Sequence, residues 1–552
     1  MMSCCKYMGG AILQGLMQGT LMKEKTKTVH YIFTALLILC LISCADRTSG
    51  MPKLTDSKVK KNTAPSGAPS TPNPSAPQLD AAVKQKILFE RLTDAVMRFE
   101  EEIDVSDLAI GCASQPDTTP EYRELYERFA GWLDEQSLFL FHLPLPKSIS
   151  YTYKSENDNE VSAYKLTYYI KADMAYGDYG RVADAFESYY RAVRKSMSQA
   201  EIGYALYREL EKRTVYGENL SSQYQRTACG AVLDGKGVCE DYSIGYKQLM
   251  KGVGIEVCCV EGNTRPQPVS EGNVAHMWNK VKLDGKWYNV DATWDDYERA
   301  EAEQKAHCEG TYFLKSDHTF YGPFNLNHTL IYDKLLPMVP LASDTKYENP
   351  AYVFYDGNTK SDPFYYKGHW YYFSYEDMGI YRSRFDGSDK TRLYQKMYHT
   401  NNALKQSNWA KLHRLEFGAD KIYFLDYAES HGTNGYALYT MHYDGSAVQK
   451  TDAQPSPNEP LRPAGDEPET EEPGIAALRA EIMLSKMKDA YFHGAERYAE
   501  PQSAERKSFL TEIKAAEDYV KTAPADEAQA GALYKRLRKA RTEYQGLPTR
   551  RL

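Results

Sequence analysis

The chain has 552 residues, enough for several domains, and 42% of them are hydrophobic. A formal net charge of −8 with no concentrated basic stripe argues against a nucleic-acid partner. Beyond the N-terminal leader no apolar run is long enough to cross a membrane, and the 45 tyrosines favour strands and half-exposed contact surfaces.

Residues 1–43 read as a signal peptide. Lys23, Lys25 and Lys27 precede an apolar run from Tyr31 to Ile42, too short for a comfortable membrane span and ending in Leu41-Ile42-Ser43-Cys44. Met22 is a more natural start than Met1, so residues 1–21 read as a start-site misassignment. The Leu-Ile-Ser-Cys tetrad resembles a bacterial lipoprotein box. That resemblance implies cleavage before Cys44, lipidation of its thiol and an extracytoplasmic place in a bacterial cell envelope. Residues 44–78 carry Pro65, Pro69, Pro72, Pro74 and Pro77 and almost nothing to bury. They read as a disordered tether that, at ~3 Å per residue, holds a folded body off the membrane.

Residues 79–199 read as a mixed helical elaboration before the core. Val83, Ile87, Leu88, Leu92, Val96 and Phe99 mark a first helix, and Tyr164 to Ile170 a strand. The region 200–345 contains the only constellation that specifies a reaction. After the turn-forming Asp234-Gly235-Lys236-Gly237, apolar Val238, Tyr242, Gly245 and Leu249 recur at helical spacing, and Gly252 and Gly254 end the helix. Cys239 therefore falls in the first helical turn, where free backbone N–H groups and the positive end of the dipole favour a thiolate. Glu240 and Asp241 suit a helix start but oppose that effect, so a partner base is needed.

Met277 to Leu283 and Lys286 to Thr293 read as the strands of a hairpin about Asp284-Gly285. With Leu283 opposite Lys286, His276 faces Thr293 and Trp278 faces Asp291. His276 and Asp291 then become diagonal neighbours on one face, about 7–8 Å apart at the backbone and bridgeable by their side chains. A thiol, an imidazole and a carboxylate are the three parts that thiol acyl chemistry requires.

Gly237-Val238-Cys239-x-x-Tyr242, His276-x-Trp278-Asn279 and Trp287-Tyr288-x-Val290-Asp291-x-Thr293-Trp294 resemble the three ordered motifs of the transglutaminase-like superfamily, relatives of the papain-like fold. Met197 to Tyr216 resembles the helix before that core, and Tyr312 to Asp317 the segment after it. The resemblance spans roughly residues 200–330. It implies Cys239 as nucleophile, His276 as base and acid, and Asp291 as the residue that orients the imidazole, with no cofactor and no metal. An oxyanion donor is not assigned by the sequence beyond the backbone N–H of Cys239 as a candidate.

In residues 346–452 one unit, Tyr371-Tyr372-Phe373 with Ile380 to Ser388, resembles a second, Ile422-Tyr423-Phe424 with Leu438 to Ser446. Strand, turn, alternating strand and Asp-Gly turn repeat in β-propeller-like fashion, with too few units to close a ring. Residues 453–473 are a Pro/Glu-rich linker. In 474–552, Leu478 and Ile482, then Phe509, Ile513, Ala516 and Val520, then Leu533, Leu537, Ala540 and Tyr544 form helical stripes of a small bundle or hairpin. Of ten cysteines, Cys258 and Cys259 lie on a strand-like run and should point to opposite faces.

The expected architecture is α+β: a papain/transglutaminase-like core with a helical N-terminal elaboration, followed by a small antiparallel β-repeat region and a C-terminal helical bundle or hairpin. The expected function is a lipid-anchored thiol enzyme acting on protein or peptide amides through a thioester, with a cell-envelope partner for residues 346–552. The competing reading is a non-catalytic surface adhesion or scaffold protein that retains the fold. A buried, inaccessible Cys239 would favour that alternative.

Overall fold

The computed structural model describes residues 80–98, 101–111, 128–129, 132, 146–154, 160–168, 179–219, 222, 224–264, 274–296, 310–321, 328–330, 339–355, 360–396, 413–427, 436–453, 459–469, 471–493, 504–522 and 526–544. The leader, Cys44 and the Pro-rich stretch lie outside them. Among the described residues no helix is long and apolar enough to cross a membrane.

Helix α1 (Ala81–Arg98) buries Leu88, Leu92 and Val96 in a cluster with Ile103, Val161, Tyr164 and Leu166. These come from an antiparallel sheet of β1 (Glu102–Asp104), β2 (Ile110–Gly111), β3 (Pro146–Lys154) and β4 (Glu160–Tyr168), in which β4 pairs with the other three. This N-terminal cluster is separate from the core that carries the thiol.

That core opens with α2 (Tyr179–Tyr190) and α3 (Gln199–Arg213). Ser198 and Glu201 start α3 with a capping box: Glu201 N donates to Ser198 Oγ (3.3 Å) and Ser198 N to Glu201 Oε2 (2.8 Å). The short β5 (Val215–Tyr216) pairs in parallel with β6 (Lys236–Gly237), with α4 (Ala228–Val232) between them in sequence. Helix α5 (Cys239–Gly252) follows at once and ends as the glycines require, with Gly254 at φ +81°.

Strands β7 (Val257–Thr264), β8 (Val274–Leu283), β9 (Lys286–Val290) and, later in the chain, β10 (His328–Leu330) form a sheet in the order β10-β7-β8-β9. Asp284 and Gly285 both take positive φ, +50° and +78°, the signature of a type I′ hairpin turn. Leu283 opposes Lys286 as expected, and the register holds to Asn279 opposite Val290. There it stops. The second strand was expected to run to Thr293, but β9 ends at Val290 and the chain turns into a short helix, α6 (Ala292–Asp296). His276 and Trp278 therefore do not pair with Thr293 and Asp291. Another single turn, α7 (Asp317–Phe320), caps on Ser316.

The Tyr-rich region folds into two four-stranded antiparallel meanders. One is β11 (Phe364–Tyr366), β12 (His369–Ser374), β13 (Gly379–Ser383) and β14 (Thr391–Gln395). The other is β15 (Leu415–Phe417), β16 (Lys421–Tyr427), β17 (Tyr436–His442) and β18 (Gln449–Lys450). The repeated Asp-Gly-Ser turns are alike in detail: Asp386 Oδ1 accepts from Ser388 N (2.9 Å) and Asp444 Oδ1 from Ser446 N (2.8 Å). Phe364 stacks on Phe417 and Tyr366 on Tyr443, with centroids 4.0 and 4.1 Å apart, so aromatic faces join the two sheets. The described residues form no closed ring.

Helices α8 (Ile475–His493), α9 (Ala504–Lys521) and α10 (Glu527–Glu543) share a cluster of Leu478, Ile482, Phe509, Ile513, Leu537 and Tyr544, the stripes read from sequence. The opposite side of α8 does something else. Ala480, Met483, Leu484 and Met487 join α2, α3 and α5 in one continuous core, which Tyr352 and Phe354 enter from the segment before the first meander and Trp370 and Phe385 from the meander itself. Trp370 Nε1 donates to Glu201 Oε1 (2.8 Å), closing this joint with a polar contact. The thiol-bearing core, the first meander and α8 are thus one hydrophobic body.

Candidate active site around Cys239

Cys239 opens α5, and the residues around it explain its local motif. Asp241 turns back to accept from Val238 N at Oδ2 (2.9 Å) and from Thr227 N at Oδ1 (3.2 Å), tying the helix start to the loop before it. Burial pushes this carboxyl up to about 7, against the backbone N–H groups that hold it down. A Cβ on Gly237 would lie 2.4 Å from Asp241 Cβ, and one on Gly230 2.0 Å from its Oδ1, so both glycines are required by the folded-back carboxylate. Glu240 is held by the Arg226 guanidinium, whose charge is also felt by Cys239. The two acids expected to oppose a thiolate are therefore both occupied, one by backbone and one by an arginine.

Cys239 is half-buried and packs against Cys259 and Met277 of the sheet. Cys239, Cys229 and Cys259 are free thiols, whereas Cys258 is disulfide-bonded. Cys258 belongs to the cluster around Trp278 and Cys259 to the one beneath α5, so the adjacent pair faces opposite ways.

His276 lies on β8, buried, between Trp278 (6.2 Å between centroids, stacked) and Trp294 (6.0 Å, edge-on). Its Nε2 is 2.6 Å from Asp291 Oδ2, and the Cys239 thiol is near enough to favour its charged form as well. With Nε2 committed to Asp291, Nδ1 is the nitrogen left for the thiol. Burial pushes the imidazole down, but the charge and hydrogen bond of Asp291, with a smaller share from Cys239, outweigh this and raise it to about 10.

Asp291 reaches His276 by a different route from the expected cross-strand diagonal. It stands just past the end of β9, where its Oδ1 accepts from Thr293 N (3.0 Å) and Trp294 N (3.2 Å), capping α6. Tyr207 of α3 donates to the Asp291 carbonyl (3.1 Å) and to the Asp295 carboxylate, fixing the turn from below. Burial works against the charged form of Asp291. His276, by charge and hydrogen bond, and His328 nevertheless hold the carboxyl well below its ordinary range.

The remaining motif residues are structural ties. Asn279 Nδ2 donates to Ser243 O (2.9 Å), Ser243 Oγ to Met277 O (2.9 Å) and Trp278 Nε1 to Asn289 Oδ1 (3.3 Å), locking α5 and the hairpin together. Sequence reasoning missed His328, whose Nε2 lies 2.8 Å from the same Asp291 Oδ2. No local motif marks it. The nearest ligand atoms of His276, Asp291 and His328 all lie within 4.8 Å of one another, the one such potential cation-binding group among the described residues. Their contacts of 2.6 and 2.8 Å are those of N–H donors on a shared oxygen, and both nitrogens would have to shed protons to hold an ion.

No curated protein matches this chain. Among solved structures, a TGase aligns over 26% of this chain and 44% of its own, at 16% identity and a TM-score of 0.19. A protein from Cytophaga hutchinsonii, provisionally assigned as a cysteine protease, aligns over 26% of this chain and 61% of its own, at 12% identity and a TM-score of 0.16. The chain thus spans less than two thirds of either structure. Residues 187–292 match the family model of the transglutaminase-like superfamily, a span that contains Cys239, His276 and Asp291. The chain therefore carries a transglutaminase-like domain.

Proposed function

We propose that Cys239, His276 and Asp291 are a catalytic triad for acyl transfer from protein or peptide amides. The observation that carries this reading is the convergence of a half-exposed thiol, an imidazole and a carboxylate held by four hydrogen-bond donors. Cys239 is half-buried rather than buried, which favours the enzyme over the scaffold alternative.

In this reading His276 Nδ1 takes the Cys239 proton as sulfur attacks the amide carbonyl carbon. The C–N bond then breaks, the imidazolium returns the proton to the departing amine, and a Cys239 thioester remains. Water or an amine attacks the thioester, His276 accepts the incoming proton, and the thiol is restored. Water as acceptor gives a protease or amidase; an amine gives a cross-linker. The first backbone N–H of α5, that of Cys239, serves the oxyanion.

The direct test is labelling of the native protein with iodoacetamide. Cys239 should react ahead of buried Cys229 and Cys259, and His276→Ala should slow it about 100-fold. Equal labelling of Cys239 in both proteins would remove His276 as its base.

The same proposal places the enzyme on the outer side of a bacterial membrane, anchored through a lipid on Cys44 and spaced by the Pro-rich stretch. The charged, apolar and Leu-Ile-Ser-Cys segments of the leader support it. Cys44→Ala expressed in a bacterial host should incorporate no labelled fatty acid, whereas the wild type should. Unlipidated wild-type protein would refute the anchor.

A further inference from the structure

His328 comes from β10, at the far edge of the sheet from β9 and Asp291. Its ring is fully buried among Trp278, Trp294, Tyr312 and Phe320, with centroids 4.1–5.6 Å away. Gly262 of β7 leaves room for the Trp278 ring, against which the His328 ring packs. Gly262 pairs with His276 on one side and Leu330 on the other. A Cβ there would lie 2.3 Å from the Trp278 ring and 2.2 Å from Thr329 O.

An ionised carboxylate only accepts hydrogen bonds, so both imidazoles on Asp291 Oδ2 must present Nε2–H. Oδ2 is thus held from two sides by His276 (2.6 Å) and His328 (2.8 Å), while Oδ1 is held by the N–H groups of Thr293 and Trp294. Four donors fix the plane of the carboxylate. A fixed carboxylate in turn fixes which nitrogen of His276 faces Cys239.

We propose that His328 is a positioning residue for the thiol centre: by donating Nε2–H to Asp291 Oδ2 it locks the carboxylate that orients His276. Its action on the thiol runs through Asp291 and His276. The proposal rests on the reading of Cys239, His276 and Asp291 as a reactive triad.

The test compares two variants in the full chain. Glutamine can place an amide N–H near the position of the imidazole Nε2–H; leucine fills similar space and donates nothing. Alkylation of Cys239 should slow about tenfold or more in His328→Leu, the scale expected for losing a hydrogen bond to a charged group, and His328→Gln should recover most of the rate. Leu reacting like the wild type, or Gln as slowly as Leu, would overturn the proposal, because a packing role does not distinguish a donor from its absence. If the leucine variant fails to fold, the wild type decides alone. Long-range 1H–15N spectra of histidine-labelled protein should show His276 and His328 both protonated at Nε2, and a bare Nε2 on His328 would refute the lock. Absence of peptide turnover in the wild type would end the proposed activity, yet leave both of these measurements interpretable.

Discussion

Cys239→Ser should abolish turnover of peptide substrates while leaving the fold in place. The sulfur-to-oxygen change is small, and the site is half-buried against Cys259 and Met277, so packing is nearly preserved and the thermal midpoint should move little. Chemistry should suffer far more. An imidazole can take the proton of a thiol, whereas a serine hydroxyl gives its proton up far less readily and is the poorer nucleophile. His276, already drawn toward its charged form by Asp291, is a poor base for that task. A loss on the order of 10⁴ or more follows, the scale seen when the nucleophile of such a triad is removed. Turnover of a fluorogenic peptide, measured beside a thermal melt, checks both halves. A serine variant that works like the wild type would show that the amide is attacked by something other than Cys239.

The parts of this centre legible in the sequence are those governed by local rules. Gly237-Val238-Cys239 places the thiol at a helix start, and Asp284-Gly285 sets the hairpin register. The expectation that Asp291 sits inside a strand failed because an aspartate also caps helices. Its Oδ1 binds the N–H groups of Thr293 and Trp294 and bends the chain out of the sheet after Val290. Propensity in Asn289 to Thr293 does not reveal which of the two wins; the tie to Tyr207, 84 positions earlier, helps to decide it. His328 was invisible for a related reason, since its partner is 37 residues away in sequence.

The boundaries between regions were less legible than their contents. Both halves of the tyrosine repeat and the three apolar helical stripes were readable from periodicity. What periodicity omits is the second apolar side of an element. Helix α8 uses Leu478 and Ile482 for its bundle and Met483 and Met487 for the core around α5, so it belongs to two clusters at once. Trp370 likewise leaves its sheet to meet Tyr204 of α3, with centroids 5.4 Å apart. Such joints arise from shape matching over long sequence distances and have no local signature.

Asp291→Asn should disable the centre without removing any member of it, and its effect should depend on pH. Asparagine can still accept the N–H groups of Thr293 and Trp294 through its oxygen, so the cap on α6 survives. Its amide N–H₂ then faces two Nε2–H donors. His276 relieves the conflict by moving its proton to Nδ1, the nitrogen needed to receive the thiol proton. Burial, no longer opposed by the carboxylate, pushes the imidazole below its ordinary value of 6.5, where the wild type is raised to about 10. Alkylation of Cys239 should therefore fall on the order of 10²-fold or more near pH 7. The stability cost has its own profile. The raised His276 stabilises the folded wild type fully below pH 6.5, and that contribution is lost as pH rises through about 10. The depressed Asp291 contributes fully above 3.8, and that contribution is lost as pH falls below it. The difference in stability between wild type and variant should then be greatest between pH 3.8 and 6.5, about 3–5 kcal/mol for a broken buried pair, and shrink toward pH 10. Chemical denaturation of both proteins from pH 4 to 10 measures it. A difference that stays flat across that range, with alkylation unchanged at pH 7, would reduce Asp291 to a helix cap and leave Cys239 and His276 as a dyad.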